Sequence, residues 1–165
     1  MIFDTLNDLR SYLQTELPDR KFQLNYLPGR DAVTTDQENS IYLTLLNISE
    51  DASSKIAYPY QQDGKRRFSH PTPALALELI VMISSFYQNY EVGLKAISDV
   101  IIKLNSKQKF SLENLTYTIS LYPISIEENS NLWQAISTNI LPNVIYKVRF
   151  ISENPEPDER PIITI

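Results

Sequence analysis

A chain of 165 residues, 42% apolar and 21% charged, has the size and balance of one globular domain with a core of its own. Its formal charge of -5 supplies no basic field to draw it to nucleic acid or an anionic membrane, and the absence of cysteine removes disulfides, thiolate catalysis and sulfur-ligated metals. Residues 1–8 carry acids where an export signal needs a basic start, and no apolar run approaches the ~18 residues of a membrane span, so the expectation is a cytosolic protein with protein partners.

Ile2, Leu6, Leu9, Leu13 and Leu17 fall on one helical stripe, which Pro18 ends. Residues 21–27 alternate as a strand, with Phe22, Leu24 and Tyr26 on one face, and a polar loop follows from Pro28-Gly29. Residues 40–48 are β-rich with apolar side chains on both faces, the pattern of a central, covered strand. Residues 52–73 turn to Ser, Tyr, Pro, Gln and basic side chains, which predicts a long excursion from the core.

In the stretch 72–86, Leu75, Leu77, Leu79, Val81 and Ile83 alternate as a strand does, although the Ala and Glu between them also suit a helix; strand is the reading adopted. Val92, Ala96, Val100, Ile101 and Leu104 predict a second helix over 89–104. Residues 115–124 alternate Leu115, Tyr117, Ile119 and Leu121 against Thr116, Thr118 and Ser120, a strand with one solvated side. Ser125 and Glu128 have capping-box spacing and open a third helix carrying Leu132, Trp133 and Ile136, with Trp133 read as core. Residues 144–151 form the last strand.

The expected fold is α+β, a single domain over 1–152 with about five strands in a mixed, mostly antiparallel sheet and about three helices. Residues 153–165 are too rich in proline and charge to pack, yet end in the β-forming run Ile162, Ile163, Thr164 and Ile165, an extended arm with a strand at its tip.

Chemistry is sparsely supplied. The single histidine, His70, lies in the excursion between Ser69 and Pro71, which makes a loop or interface histidine a better reading than a catalytic one. The acids lack metal-ligand spacing, and the three glycines form neither a Walker loop nor a dinucleotide fingerprint, so no cofactor, metal or enzymatic activity is expected. The basic run Lys65, Arg66 and Arg67 beside Phe68 offers too few phosphate contacts for nucleic acid and reads as a hairpin tip or protein interface. Tyr58 and Tyr60, in polar company, read as interface anchors.

Four short patterns resemble one family. The segment Leu43-Thr44-Leu45-Leu46-Asn47-Ile48-Ser49-Glu50-Asp51 matches a strand of the form L-x-L-x-N-I-x-E-D, and Tyr90-Glu91 with Leu94 matches a helical Tyr-Glu-x-x-Leu. Leu132-Trp133-Gln134-Ala135-Ile136 matches an L-W-Q-A-L helix, and Val144 to Arg149 a closing strand V-x-Y-K-V-R. Together they resemble the tail-terminator, or cap, family of extracellular contractile injection systems. The segment before the Tyr-Glu helix, rich in aromatics in that family, is aliphatic here from Leu75 to Ile83.

The resemblance implies a structural protein that works as a homo-hexameric ring, ends growth of the inner tube and joins it to the last ring of the contractile sheath. Its partners would be the inner-tube and sheath proteins, without nucleic acid or membrane insertion, and it would assemble in the cytoplasm as part of a particle that can leave the cell. Tyr58, Tyr60, Arg66, Arg67 and Phe68 would face the tube or a neighbouring subunit. Ile162, Ile163 and Ile165 would add as a strand to the sheath. A monomeric adaptor using the same tyrosine-rich loop is the alternative.

Overall fold

The structure, a computed structural model, describes residues 1–27, 39–51, 61–63, 67–69, 76–112, 115–136 and 140–151, with backbone only at 61–63, 67–69 and 151. The helices are α1 (Ile2–Glu16), α2 (Tyr90–Ser106) and α3 (Ile126–Ile136). The strands are β1 (Lys21–Leu24), β2 (Ser40–Glu50), β3 (Gln61–Asp63), β4 (Arg67–Ser69), β5 (Ala76–Phe86), β6 (Lys109–Leu112), β7 (Leu115–Leu121) and β8 (Asn143–Ile151).

Six strands form one sheet in the order β1-β2-β5-β8-β7-β6, with β1 parallel to β2 and every other neighbour antiparallel. The α+β expectation is met with one strand more than the five expected. The addition is β6, whose four residues make too short an alternation to stand out. The first strand stops at Leu24 rather than residue 27, and β7 at Leu121 rather than residue 124.

β5 lies at the centre of the sheet's pairing, between β2 and β8, and is covered on both sides. Leu79, Val81 and Ile83 point to the face that carries α1 and α2, where they join Leu9, Leu13, Val100, Tyr117 and Val148 in the main core. Met82 points to the other face and packs with Trp133 of α3 and Ile145 of β8. An alternating Leu/Val/Ile set with Ile80 and Met82 between its members is what a strand covered twice requires, which settles the helix alternative against residues 76–86.

A flat six-stranded sheet would be about 24 Å wide, more than twice the ~10 Å diameter of a helix. Yet α1 touches both edges: Gln14 Oε1 accepts from the Phe22 amide of β1 at 3.2 Å, and the Tyr12 ring lies 5.0 Å from that of Phe110 on β6. The sheet therefore curls around α1. Arg20 to Asp99 (3.0 Å) and Lys103 to Glu16 (2.9 Å) tie the α1 end to α2.

The Tyr117 hydroxyl donates to Asp8 Oδ2 at 2.7 Å and anchors α1 on β7. Burial, helped by that carboxylate, pushes the Tyr117 phenol far above its ordinary value. A raised phenol contributes stability that is whole below about pH 10 and is lost as pH climbs beyond it. Tyr117→Phe should cost about 1–2 kcal/mol at neutral pH, because Asp8 loses its donor, and should flatten the decline above pH 10. Urea unfolding at pH 7 and at pH 10.5 checks both, and equal slopes in the two proteins would contradict the assignment.

Candidate interaction surfaces at the two ends of the sheet

The strand register gives the sheet two distinct ends. At one, Asp51 follows β2 and its amide donates to Ala76 O at 2.9 Å, while Ala76 is paired with Ile151. The last residue of β2's run, the first of β5 and the last of β8 thus stand side by side. The two segments singled out in the sequence, 52–73 and 153–165, are flanked by these same described residues.

A chain of charges crosses the strands there. Arg149 Nε lies 3.1 Å from Asp51 Oδ2, its Nη2 contacts the same oxygen, and Nε is 3.3 Å from Glu78 Oε1. Lys147 Nζ sits 3.1 Å from Glu78 Oε2 and 5.4 Å from the centre of the Tyr122 ring. Asp51, with Glu78 helping, holds the Arg149 guanidinium above its usual range. The signs alternate, so the row neutralises itself. It clamps β2 and β8 across β5 and offers no unopposed charge for acid–base work.

This row was not singled out in the sequence. Lys147 and Arg149 are visible as the polar half of an alternating strand, but their partners lie 69 and 98 residues away, and only the register joins them.

The residues expected to carry function are placed unevenly. Arg67 and Phe68 lie on β4, opposite Asp63 and Gln62 of β3, in a two-stranded sheet separate from the main one. Arg67 therefore belongs to a hairpin, and Gly64, Lys65 and Arg66, which fall between its two strands in the sequence, lie outside the described residues. Tyr58, Tyr60, Arg66, Ile162, Ile163 and Ile165, and His70, lie outside the described residues. Trp133 is core, 2% exposed, with its indole donating to Asn129 Oδ1 at 3.2 Å.

Among the described residues no group of three or more acidic or histidine side chains is placed to hold a metal ion, and no helix is long and apolar enough to cross a membrane. Among the described residues, the buried side-chain polar atom left without a hydrogen bond is Ser84 Oγ on β5.

Residues 5–165 match the model of the Pvc16 N-terminal domain family. The chain belongs to that family. The tail-terminator resemblance read from the four patterns is thereby borne out. Two solved structures are similar in fold to this chain over its whole length. One is described as an extracellular contractile injection system, the PVC sheath/tube terminator in its extended state, with TM-score 0.74 and 16% identity, and the chain covers 61% of it. The other is the anti-feeding prophage cap, a tube-terminating cap, with TM-score 0.69 and 15% identity, 60% of which is covered. The chain thus spans about three fifths of each of these proteins. No curated protein matches it.

Proposed function

We propose that the chain is the terminator of a contractile injection particle: a structural protein without catalysis that sits on the end of the inner tube as a hexameric ring and joins it to the last sheath ring. The observation that carries this reading is the family match over residues 5–165, with the same fold in a sheath/tube terminator and in a tube-terminating cap. A ring of the tube's own symmetry can dock on the last tube ring and present an outer face that no further tube subunit fits.

In this reading 1–152 is the ring-forming domain and 153–165 is an arm to the sheath. The arm and the excursion leave one end of the sheet together, which allows a single end to serve both tube and sheath. Ile162, Ile163 and Ile165 would pair with an open sheath edge, where backbone donors and acceptors await a strand. Tyr58, Tyr60, Arg66, Arg67 and Phe68 carry the excursion's contacts. Assembly takes place in the cytoplasm and the particle carries the protein out of the cell.

Negative-stain microscopy with light scattering, on the chain alone and mixed with tube and sheath proteins, tests the reading. Sixfold rings, or tubes ending in an added layer, are the expected result; a strict monomer that never decorates tube ends would favour the adaptor. Deleting 153–165 should leave the melting temperature within about 1 °C, since a segment so rich in proline and charge is a poor core former, while sheath retention on capped tubes falls at least tenfold. Undiminished retention would remove the arm from the sheath contact.

A further inference from the structure

The end of the sheet opposite the two exits carries an apolar surface. Leu121 closes β7 in register with Tyr146, the Tyr122 amide donates to Ile145 O, and Ile126 opens α3 just beyond. Ile140 precedes Pro142, whose carbonyl accepts from the Ser85 amide. Gly93 of α2 lies so near that a β-carbon there would be 3.1 Å from Ser85 Oγ and 3.9 Å from Pro142 Cγ. Tyr90 and Leu94 flank that glycine.

Of the twelve large apolar side chains exposed among the described residues, these six gather at this end, with Ile126 91%, Tyr90 63% and Ile140 63% exposed. A gathering of this kind is beyond the scattered exposure of an ordinary surface and marks a contact. Its rim is acidic. Glu91 stands in the first turn of α2 and Glu127 and Glu128 in the first turn of α3, all exposed. Of the neighbouring cations, Lys147 is held by Glu78 and Lys95 stands one turn further along α2.

The β3–β4 hairpin has the matching chemistry. It carries Phe68 and Arg67, with Lys65 and Arg66 between its strands, and residues 52–75 sum to a charge of +3 from Lys55, Lys65, Arg66 and Arg67 against Asp63. Three pairs of residues outside the main sheet make a hairpin that is marginal in water unless another surface receives it. The hairpin is rooted at the exit end, about 20–30 Å from the patch along strands that rise about 3.3 Å per residue. The link from Ser69 to Ala76 reaches at most about 24 Å when drawn out fully, so a chain's own patch lies at the limit of that reach.

We propose that the apolar, acid-rimmed end of one copy receives the basic, aromatic β3–β4 hairpin of the next copy. Such a contact is head-to-tail, and head-to-tail contacts repeated with a closing rotation make a ring. The inference deepens the terminator reading by assigning the subunit contact on which its ring depends.

The absence of cysteine permits a direct test. Phe68→Cys and Ile126→Cys are made singly and together in the full chain and treated with a short bis-maleimide, free and on tube ends. The double variant should give a ladder of dimers, trimers and higher species, and each single variant should stay a monomer. R66E/R67E added to the double variant should abolish the ladder, and E91K/E127K added in turn should restore it.

A double variant that forms no ladder in either setting overturns the contact. So does a cross-link confined within the monomer, or a dimer from Ile126→Cys alone in equal yield, which would mean that the patch meets its own copy. Tube capping is scored on the same samples: capping without a ladder removes this contact and leaves the terminator reading, and a ladder without capping does the reverse.

Discussion

Trp133→Ala should lower the unfolding free energy by about 3–5 kcal/mol, the cost of emptying a large aromatic from a closed site. Trp133 is the buried residue of α3; Leu132 and Ile136 are only half covered, and its ring fills the space over Met82 and Ile145, which are themselves enclosed. Loss of the indole also leaves Asn129 without its donor. No other described helix covers this face, so the cavity has little chance to collapse except by α3 lifting off. Because Trp133 is the single tryptophan, circular dichroism rather than fluorescence should follow the urea transition. Trp133→Phe should recover more than half of the loss. A cost below 1 kcal/mol would mean that α3 is held by something other than this contact.

The same residue shows where sequence reasoning reached. The helix around it was legible because Ser125 and Glu128 sit at capping spacing, and both bonds form: Glu128 Oε2 accepts from the Ser125 amide at 2.7 Å, and Ser125 Oγ from the Glu128 amide at 3.1 Å. Local bonds of this kind depend on a few adjacent residues. The Tyr90 helix was legible from its apolar stripe at Val92, Ala96, Val100 and Leu104, and its start is fixed by a cap the reading did not use, Asn89 Oδ1 accepting from the Glu91 amide at 2.9 Å and the Val92 amide at 3.3 Å. β5 was ambiguous because a strand covered on both sides loses the polar alternation that tells it from a helix.

What could not be read depends on register. The sheet order β1-β2-β5-β8-β7-β6 brings the ends of β2, β5 and β8 together from positions 51, 76 and 151, and those are the residues that flank both candidate docking segments. The curl around α1 rests on Tyr12 meeting Phe110 and Asp8 meeting Tyr117, contacts that span about 100 residues of chain. Hydrophobic pattern names the face on which such residues lie but not the partner opposite them. The apolar end is hidden in the same way, since Leu121, Ile126 and Ile140 each look like ordinary members of their own elements.

Arg149→Ala should cost about 2–3 kcal/mol and should act beyond the residue itself. Removing one partner of an enclosed ion pair leaves the other charge desolvated, and the Asp51 side chain is only 8% exposed. The cost stays below that of a fully enclosed pair because the Arg149 side chain is 43% exposed and Lys147 remains beside Glu78. If the row clamps β2 to β8 across β5, Asp51→Ala and Arg149→Ala should be non-additive, with the double variant less destabilised than the sum by 1 kcal/mol or more. Hydrogen exchange should then quicken at Asp51 and Ala76, whose amide and carbonyl form the bond beside the clamp, before it changes at Leu43 or Ile83. Additive losses, with exchange unchanged at the exit end, would reduce the row to surface charges that happen to lie near one another, and the two segments would then leave the sheet as neighbours without a common anchor.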